Sequence, residues 1–294
     1  MVLVERGVVK MHKPFKKYPS GFKFIDQWEK GFHSGIIYGF FGEPNIGKTL
    51  TTLHLASGIS HNMALDGVKN NNILVYDTEG SAHDFVESWY PVLKKRFPKM
   101  GEIIVVYKFF IEDILEDHGV RMRMDYKVSG KDDKASGKQE AVILELIDEP
   151  FIDRVIRENN IGVVIYDSLT NPIATQFSTA RQNFPARANV IGAWLGGIIK
   201  YMIENNTITF GTLHMTIDPA NQYARPKAKG GNLLHYNIKR LYYISRLAQS
   251  SSVARKMPAN AEKRKIEVYR HPKMSERGAV AFFYIDDEGI HDAE

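Results

Sequence analysis

The chain has 294 residues, of which 44% are hydrophobic and 25% charged, so it is long enough and apolar enough to bury a substantial core. It contains no cysteine, which excludes disulfides and thiolate metal sites and leads us to expect a cytoplasmic protein. No apolar run approaches the roughly 18 residues that a membrane helix needs, and we expect no membrane association. The formal net charge of +5 favours an anionic partner such as nucleic acid, although a solvated basic surface would give the same charge.

The apolar runs along the chain predict one α/β domain behind a short arm. Residues 1–20 are basic and irregular and are expected to form the arm, with a single domain over residues 21–294. The runs IIYGFFG, NILVYD, IIVVY, GVVIYD and ITFGTLH predict strands, and helices are predicted after Lys48, near residues 83–96, over residues 141–158 and over residues 189–203. Strands that alternate with helices predict a mostly parallel twisted sheet flanked by helices. The runs LYYIS, IEVYR and AVAFFYI predict an antiparallel C-terminal extension.

Residues 117–139 interrupt this alternation. The stretch is polar, contains glycine and shows no hydrophobic period. It therefore predicts a surface insertion or a mobile loop within the domain.

The segment GEPNIGKT (42–49) fits the phosphate-binding pattern G-x-x-x-x-G-K-[ST]. This spacing lets backbone N–H groups wrap phosphates at a helix N-terminus, while Lys48 reaches the β- and γ-phosphates and the Thr49 hydroxyl binds Mg²⁺. A predicted strand precedes the segment and a predicted helix follows it, as the pattern requires. We therefore expect ATP and Mg²⁺ as cofactors, bound by the residues Gly42, Glu43, Pro44, Asn45, Ile46, Gly47, Lys48, Thr49 and Leu50.

Two carboxylates that follow predicted strands are candidates for the chemistry of hydrolysis. Asp167 ends the run VVIYD, and a carboxylate at a strand terminus can hold Mg²⁺ together with Thr49. Glu79 follows another strand in VYDTEG and could act as general base toward the attacking water. Simpler readings exist for both, because Asp167 could be a cap, and Asp77 and Glu79 could merely begin the next helix.

Several stretches resemble RecA/RadA recombinases, in the order in which that superfamily has them, over about residues 18–292. YPSGFKFIDQWEKGFHSGIIYGFFGEPNIGKT resembles the entry to the ATPase core, DTEG (77–80) the catalytic-glutamate motif, and YDSLT (166–170) the Mg²⁺-holding motif. RQNFPARANVIGAWL and GGNLLHYNIKRLYYISR (230–246) resemble the segments that follow the two DNA-binding loops. The ending HPKMSERGAVAFFYIDDEGIHD is similar to that of archaeal RadA/RadB-like paralogues. The resemblance implies a P-loop NTPase with a RecA-like core, ATP hydrolysis, and a homo-oligomer in the form of a filament or ring.

The resemblance also implies that DNA binds through two loops, at about residues 171–187 and 215–229. The candidate DNA contacts are Arg181 and Arg187 in the first loop and Tyr223, Arg225, Lys227 and Lys229 in the second. Cations that meet phosphates, beside an aromatic ring that stacks on a base, are what single-strand binding needs. The simpler reading of the second loop is an exposed segment whose lysines only keep the protein soluble.

Three features depart from the RadA pattern. His214 ends ITFGTLH, where recombinases usually carry a glutamine that senses the γ-phosphate, and a histidine there can also donate a hydrogen bond. The Asp-Pro cap near the recombinase C-terminus is replaced by YRHPKMSER, in which Arg270 could act across a subunit boundary as an arginine finger or be a surface arginine. A basic segment of only about 20 residues stands where RadA has a helix-hairpin-helix domain, so we expect a paralogue rather than a full RadA recombinase.

These observations favour a DNA-dependent ATPase that converts ATP and water to ADP and phosphate, binds single-stranded DNA, and assists recombination or repair. A ring-forming helicase or replication ATPase on the same core is the second reading, favoured by His214 and Arg270. The third is a regulatory ATPase that acts on protein partners through the two loops, and the basic second loop argues against it.

Overall fold

The computed structural model describes residues 2–5, 8–11, 15–127, 139–171, 184–217, 224–230, 234 and 236–293. The helices are α1 (Lys23–Glu29), α2 (Lys48–Leu65), α3 (Ala82–Arg96), α4 (Ile111–Asp117), α5 (Phe151–Glu158) and α6 (Phe184–Glu204). The strands are β1 (Val2–Glu5), β2 (Val8–Met11), β3 (Ile37–Gly42), β4 (Asn72–Asp77), β5 (Ile103–Tyr107), β6 (Val120–Lys127), β7 (Gln139–Leu146), β8 (Ile161–Asp167), β9 (Ile208–Thr216), β10 (Lys227–Ala228), β11 (Arg240–Arg246), β12 (Glu262–Arg270), β13 (Val280–Asp286) and β14 (Gly289–Asp292).

One large mixed sheet organises the domain. Its strand order is β14-β13-β12-β11-β3-β9-β8-β4-β5, and β10 pairs with β9 beside this path. The strands from β11 to β5 run parallel, whereas β12, β13 and β14 are antiparallel to their neighbours. This topology confirms the prediction of a mostly parallel sheet with an antiparallel C-terminal extension.

The sheet is covered on both faces, which explains why its central strands are apolar throughout. Because side chains alternate along a strand, β3 sends Tyr38 and Phe40 into one core and Ile37 and Phe41 into the other. Helices α1, α2 and α3 pack on the first face, and α4, α5 and α6 on the second. Among the described residues, no helix is both long and apolar enough to cross a lipid bilayer.

The last residues of the predicted N-terminal arm belong to the core, which corrects the expectation of an irregular arm over residues 1–20. Tyr18 exchanges two backbone hydrogen bonds with Phe32, at 2.9 and 2.8 Å, and its ring is buried. Ser20 is also buried, and its carbonyl lies so close to α2 that a Cβ at Gly58 would approach it to 1.8 Å. Further upstream, β1 and β2 form an antiparallel hairpin.

The predicted insertion is partly regular structure, and the predicted helix over residues 141–158 is wrong in its first half. Strands β6 and β7 form an antiparallel hairpin in which Val120 pairs with Leu146, and Val120 and Met122 are buried against the second face of the sheet. Only residues 128–138 of the predicted loop lie outside the described residues. The helical stretch begins at α5 because Pro150 stands before it and disfavours a helical conformation in the preceding residue, whose φ is 51°.

Two histidines are buried among apolar side chains in the neutral form. His118 lies between Ile114, whose carbonyl is 2.6 Å from Nδ1, and Tyr166, whose hydroxyl is 2.8 Å from Nε2. Burial lowers the pKa of His118 to about 4 and that of His54 to about 3. Since both pKa values lie below the ordinary histidine value, the folded chain binds fewer protons in acid than the unfolded chain does.

The contribution of each buried histidine to the free energy of unfolding should therefore be fully retained above pH ~6.5 and fall by about 1.4 kcal/mol per pH unit as the pH drops toward 4. The substitution His118→Gln should reduce this slope by one such increment between pH ~4.5 and ~6, whatever its effect on stability at neutral pH. Urea unfolding at several pH values measures the slope, with the exposed His83→Gln as control. An unchanged slope in His118→Gln would contradict the assignment.

Candidate active site

The ends of four parallel strands converge on one edge of the sheet. Gly42 at the end of β3 pairs with His214 on β9, and Asp77 at the end of β4 pairs with Asp167 at the end of β8. Since the carboxyl ends of parallel strands share an edge, four chain segments far apart in sequence meet there. The sequence-predicted residues Lys48, Thr49, Glu79, Asp167 and His214 line one cavity of about 730 Å³ at this edge.

The predicted phosphate loop connects β3 to α2. Asn45 and Gly47 have φ values of 58° and 96°, so the chain turns sharply before α2 begins at Lys48. Glycine suits position 47 because its φ is unfavourable for other residues and because a Cβ there would meet Ile285 at 2.9 Å. The backbone N–H groups at the start of α2 have no partners within the first helical turn and can bind an anion.

Lys48 lies over the loop from which it extends. Its Nζ donates hydrogen bonds to the carbonyls of Glu43, at 2.9 Å, and Gly42, at 3.4 Å. Burial lowers its pKa, and the nearby carboxylates of Asp167 and Glu79 oppose that effect. The ammonium is thus held at the mouth of the loop by weak acceptors that a phosphate oxygen can replace.

A side chain from the C-terminal extension holds the loop from behind. Arg264 on β12 is buried, and its Nε donates a hydrogen bond of 2.8 Å to the carbonyl of Ile46. Its other guanidinium nitrogens bond to the carbonyl of Lys263 and to the carboxylate of Glu262. The loop is therefore attached to the antiparallel part of the sheet as well as to β3.

Asp167 is buried between two threonine hydroxyls. Thr49 Oγ1 donates to Asp167 Oδ2 at 2.7 Å, and Thr212 on β9 donates to Oδ1. Burial raises the pKa of the Asp167 carboxyl to about 6, and the two hydroxyl hydrogen bonds act in the opposite direction. The pair Thr49 and Asp167 presents two oxygen ligands side by side, which is the donor type that Mg²⁺ takes.

A hydrogen-bond network fixes the segment that carries Glu79. Both carboxylate oxygens of the buried Asp77 accept backbone N–H groups at 2.8–2.9 Å, from Glu79, Gly80 and Ala82. The neighbouring Thr78 binds the backbone of Ser168 through its hydroxyl, which ties the β4 end to the β8 end. Asp77 therefore fixes the turn that leads from β4 into α3, while Glu79 is left facing the cavity.

Glu79 and His214 contact each other across the cavity. His214 Nε2 lies 2.6 Å from Glu79 Oε1, and both side chains are partly exposed. This contact is the main reason that the pKa of Glu79 is lowered, so the carboxylate is charged at neutral pH. The backbone of His214 is bonded on one side to the Thr170 hydroxyl, at 3.0 Å, and on the other to the Lys229 N–H, at 2.7 Å.

The same histidine connects the cavity to the second predicted DNA loop. Strand β10 returns antiparallel to the end of β9, with Lys227 opposite Thr216. Ala228 is buried, whereas Lys227 and Lys229 are exposed on the opposite face, as the alternation of a strand requires. Arg225, also predicted to contact DNA, is already paired with Glu267 and lies 4.2 Å from the Tyr269 ring centroid.

The remaining predicted contacts are not brought to the cavity. Arg270 ends β12 opposite Leu241, which pairs with Gly39, so it lies roughly 10 Å along the strand direction from Gly42 and does not line the cavity. Arg181 and Tyr223 lie outside the described residues. Arg187 lies in α6, but its side chain is outside the described part of the chain.

Sequence reasoning missed the residues that hold the chemical groups in place. Thr212 lies two residues before His214 on β9. Because alternate residues of a strand share a face, its position could have indicated that it points to the same side as His214. Arg264 gave no such signal, since its partner Ile46 is 218 positions away in the chain.

No model of a protein family matches the sequence, and no curated protein is similar to it. Among the solved structures, by contrast, 521 chains match, so the fold is a common one. One of them is the crystal structure of the RadB recombinase, with a TM-score of 0.56 and 17% identity, over 94% of this chain and 99% of that chain. The chain therefore has the fold of RecA/RadA-like recombinases, as its motifs implied.

The contact between Arg264 and the phosphate loop is testable by substitution. Arg264→Met keeps the apolar stem but leaves the Ile46 carbonyl without its donor, which should lower the free energy of unfolding by about 1–3 kcal/mol and weaken nucleotide binding by about tenfold. Thermal unfolding and calorimetric titration with ATP measure the two effects. The neighbouring Lys265→Met is the control, because Lys265 contacts Glu267 instead. Unchanged nucleotide affinity in Arg264→Met would show that the loop does not depend on this contact.

Proposed function

We propose that the protein binds and hydrolyses ATP with Mg²⁺ and binds single-stranded DNA in recombination or repair. The observation that carries this proposal is that Lys48, Thr49, Asp167 and Glu79 line one cavity at the carboxyl ends of parallel strands. Each of the four has a charge or oxygen donor suited to one part of phosphoryl transfer to water.

The residues present fit a nucleotide and its metal. The tight turn at Gly47 leaves the loop backbone open to phosphate oxygens, and Lys48 can exchange its carbonyl acceptors for the β- and γ-phosphates. Thr49 and Asp167 would hold Mg²⁺, directly or through its water shell. When bound, Mg²⁺ neutralises charge on the phosphate oxygens.

Glu79 is the residue best placed to take a proton from the attacking water. It faces the cavity from a backbone that Asp77 fixes, and its lowered pKa keeps it ionised and able to accept the proton. His214 contacts one of its oxygens and the Ser168 side chain also hydrogen-bonds to the carboxylate, which has further lone pairs that can accept from a water molecule. The His214 carbonyl also accepts a hydrogen bond from the Lys229 N–H. A movement of His214 in response to the γ-phosphate can therefore shift the basic loop.

Two substitutions separate binding from hydrolysis. Lys48→Ala should weaken ATP binding and abolish turnover, because the charge that meets the phosphates is gone. Glu79→Gln should bind ATP·Mg²⁺ nearly as well as wild type but lose most of its turnover, about 10²-fold or more, because an amide cannot take the proton. Phosphate release and equilibrium binding measured on the same preparations decide the point. Wild-type turnover in Glu79→Gln would move the base elsewhere, and in Lys48→Ala it would refute the site.

The proposed DNA surface rests on β10. Lys227 and Lys229 present two exposed cations on one face, close to the cavity through His214. Arg225 adds less, since the carboxylate of Glu267 already neutralises it. Neutralising a phosphate with a lysine releases counterions, so each free cation should appear in the salt dependence of binding.

Lys227→Ala combined with Lys229→Ala should weaken single-stranded DNA binding and reduce the slope of log affinity against log salt by about 1.4, since each lost contact contributes about 0.7. Glu267→Gln should have the opposite effect, because it frees Arg225 to meet a phosphate. Labelled oligonucleotides titrated at several salt concentrations give both slopes. The matched control removes two exposed lysines elsewhere, Lys95 and Lys99. If the control and the β10 variant weaken binding equally, the contact surface is not β10.

A regulatory ATPase that acts on protein partners is the second candidate, favoured by the internal pairing of Arg225. It predicts an ATPase rate that does not respond to DNA and no DNA affinity at low salt.

Arg270 bears on oligomerisation, since it is remote from its own cavity and could contribute only to that of another copy. A homo-oligomer in which Arg270→Ala lowers turnover without weakening ATP binding would support that contribution.

A further inference from the structure

A second concave surface, the α6 groove, lies between the hairpin of β6 and β7 and helix α6. Its volume is about 480 Å³, and its apolar lining comes from Val120, Leu144 and Leu146 on the hairpin and from Ala193 on α6. No described residue lines both this groove and the nucleotide cavity. The groove exists because the hairpin interrupts the alternation of strands and helices that forms the main sheet.

Gly196 leaves the groove open on the side of α6. Glycine is less favourable than alanine inside a helix, yet a Cβ at position 196 would meet no described atom within 4 Å outside the backbone of α6. The next residue differs, because a Cβ at Gly197 would lie 2.7 Å from the carbonyl oxygen of His118. Packing therefore requires a glycine at 197 only, whereas the missing side chain at 196 leaves room for a side chain from outside.

Apolar side chains border this space without being covered. Leu146 lines the groove and is 90% exposed, the largest exposed fraction among the bulky apolar side chains of the described residues. Ile203 lies two turns beyond Gly196 on the same face of α6 and is 52% exposed. The apolar surface therefore continues along the helix beyond the groove itself.

The rim of the groove is acidic, although the chain as a whole has a formal charge of +5. It carries the carboxylates of Glu145 and Asp148 and one ammonium, that of Lys200. Asp148 is exposed and forms no hydrogen bond or ion pair with the part of the chain that is described. Lys200 Nζ lies over the Tyr201 ring, 5.0 Å from its centroid, rather than beside either carboxylate. An apolar surface with this rim suits a basic partner and is unfavourable for DNA.

The base of the groove contacts the strands that end at the candidate active site. His118 lines the groove, and its Nε2 lies 2.8 Å from the hydroxyl of Tyr166, the residue before Asp167 on β8. The adjacent Asp117 accepts a hydrogen bond of 2.7 Å from Tyr76, which is one residue from the end of β4. A shift of the turn at 117–119 therefore reaches both strand ends.

We propose that the α6 groove docks a short segment of a partner protein that carries an apolar side chain next to lysine or arginine. The apolar side chain fills the space over Gly196, and the cation pairs with Asp148 and Glu145. Docking changes the affinity for ATP·Mg²⁺ through the contact between His118 and Tyr166. The docking itself is independent of the proposed function, whereas its effect on nucleotide binding rests on the proposed ATP site.

The first experiment selects short random peptides, displayed on phage, on immobilised wild type. Sequences that join an apolar residue to lysine or arginine should be enriched. Synthetic copies should bind Gly196→Phe about tenfold more weakly than wild type, because the phenyl ring occupies the space. Asp148→Asn should weaken binding about two- to fivefold, as expected for an exposed ion pair, whereas the neighbouring Glu149→Gln should not, since Glu149 does not line the groove.

Thermal unfolding shows that the substituted helix still folds, and Gly196→Ala, which adds a methyl group without filling the groove, should unfold at a higher temperature than wild type. If no peptide is enriched, or if enriched peptides bind Gly196→Phe as tightly as wild type, the docking site is wrong. Self-association of wild type that Gly196→Phe abolishes would make a second copy the occupant and would also overturn the proposal.

The second experiment measures ATP·Mg²⁺ affinity with and without a selected peptide. The peptide should change the ATP affinity of wild type by about fivefold or more, and ATP should change the peptide affinity by the same factor. Tyr166→Phe should bind the peptide as wild type does but lose this coupling, because the hydroxyl that meets His118 is gone. Tyr90→Phe is the control, since the Tyr90 hydroxyl bonds to Glu102 instead.

The outcomes separate the coupling from the proposed function. Equal coupling in wild type and Tyr166→Phe would refute the route through His118. If wild type binds no ATP, the proposed function fails, and the peptide selection still decides whether the groove is a docking site.

Discussion

The buried carboxylate of Asp167 is the point on which the rest of the site depends. A carboxylate withdrawn from water is unfavourable unless hydrogen bonds replace its hydration, and here Thr49 and Thr212 supply them. Those two hydroxyls belong to α2 and β9, so the charge can be accommodated only when the end of β8, strand β9 and the start of α2 are in register. The raised pKa of Asp167 shows that this solvation is incomplete. A bound cation would complete it, in keeping with the proposed Mg²⁺ site.

The antiparallel extension shapes the site as much as the parallel sheet does. Arg264 holds the Ile46 carbonyl of the phosphate loop, Ile285 packs against Gly47, and Asp286 lines the same cavity. All three come from β12 and β13, which continue the sheet beyond β11. A phosphate loop on β3 alone would define where phosphates bind. The extension adds part of the wall of the cavity.

The sequence predicted the parts of the site that are local and left out the parts that are not. The phosphate loop, the strand before Asp167 and the helix after Glu79 each follow from a short run of residues. The contact between His214 and Glu79 joins positions 135 apart, and no spacing rule announces it. The pairing of Arg225 with Glu267 likewise removes a cation that composition alone would assign to DNA.

The errors in the predicted fold have two origins, contacts between distant residues and local signals that were overlooked. Strand β6 did carry a local signal, because apolar and polar residues alternate over VRMRMDYK, but the polar stretch that follows it obscured the alternation. The burial of Ser20 gives no local signal, because it depends on Gly58, far along α2, which leaves room for the Ser20 carbonyl. Pro150 did carry a local signal against the predicted long helix, and its effect on the preceding residue explains the break.

A crystal structure with a non-hydrolysable ATP analogue and Mg²⁺ would test the central claim most directly. We expect a triphosphate wrapped by residues 42–49, with Lys48 on the β- and γ-phosphates. We also expect the metal beside Thr49 and Asp167, and Glu79 facing the γ-phosphate through a water molecule. A nucleotide bound elsewhere, or a metal held without Thr49 and Asp167, would contradict the claim.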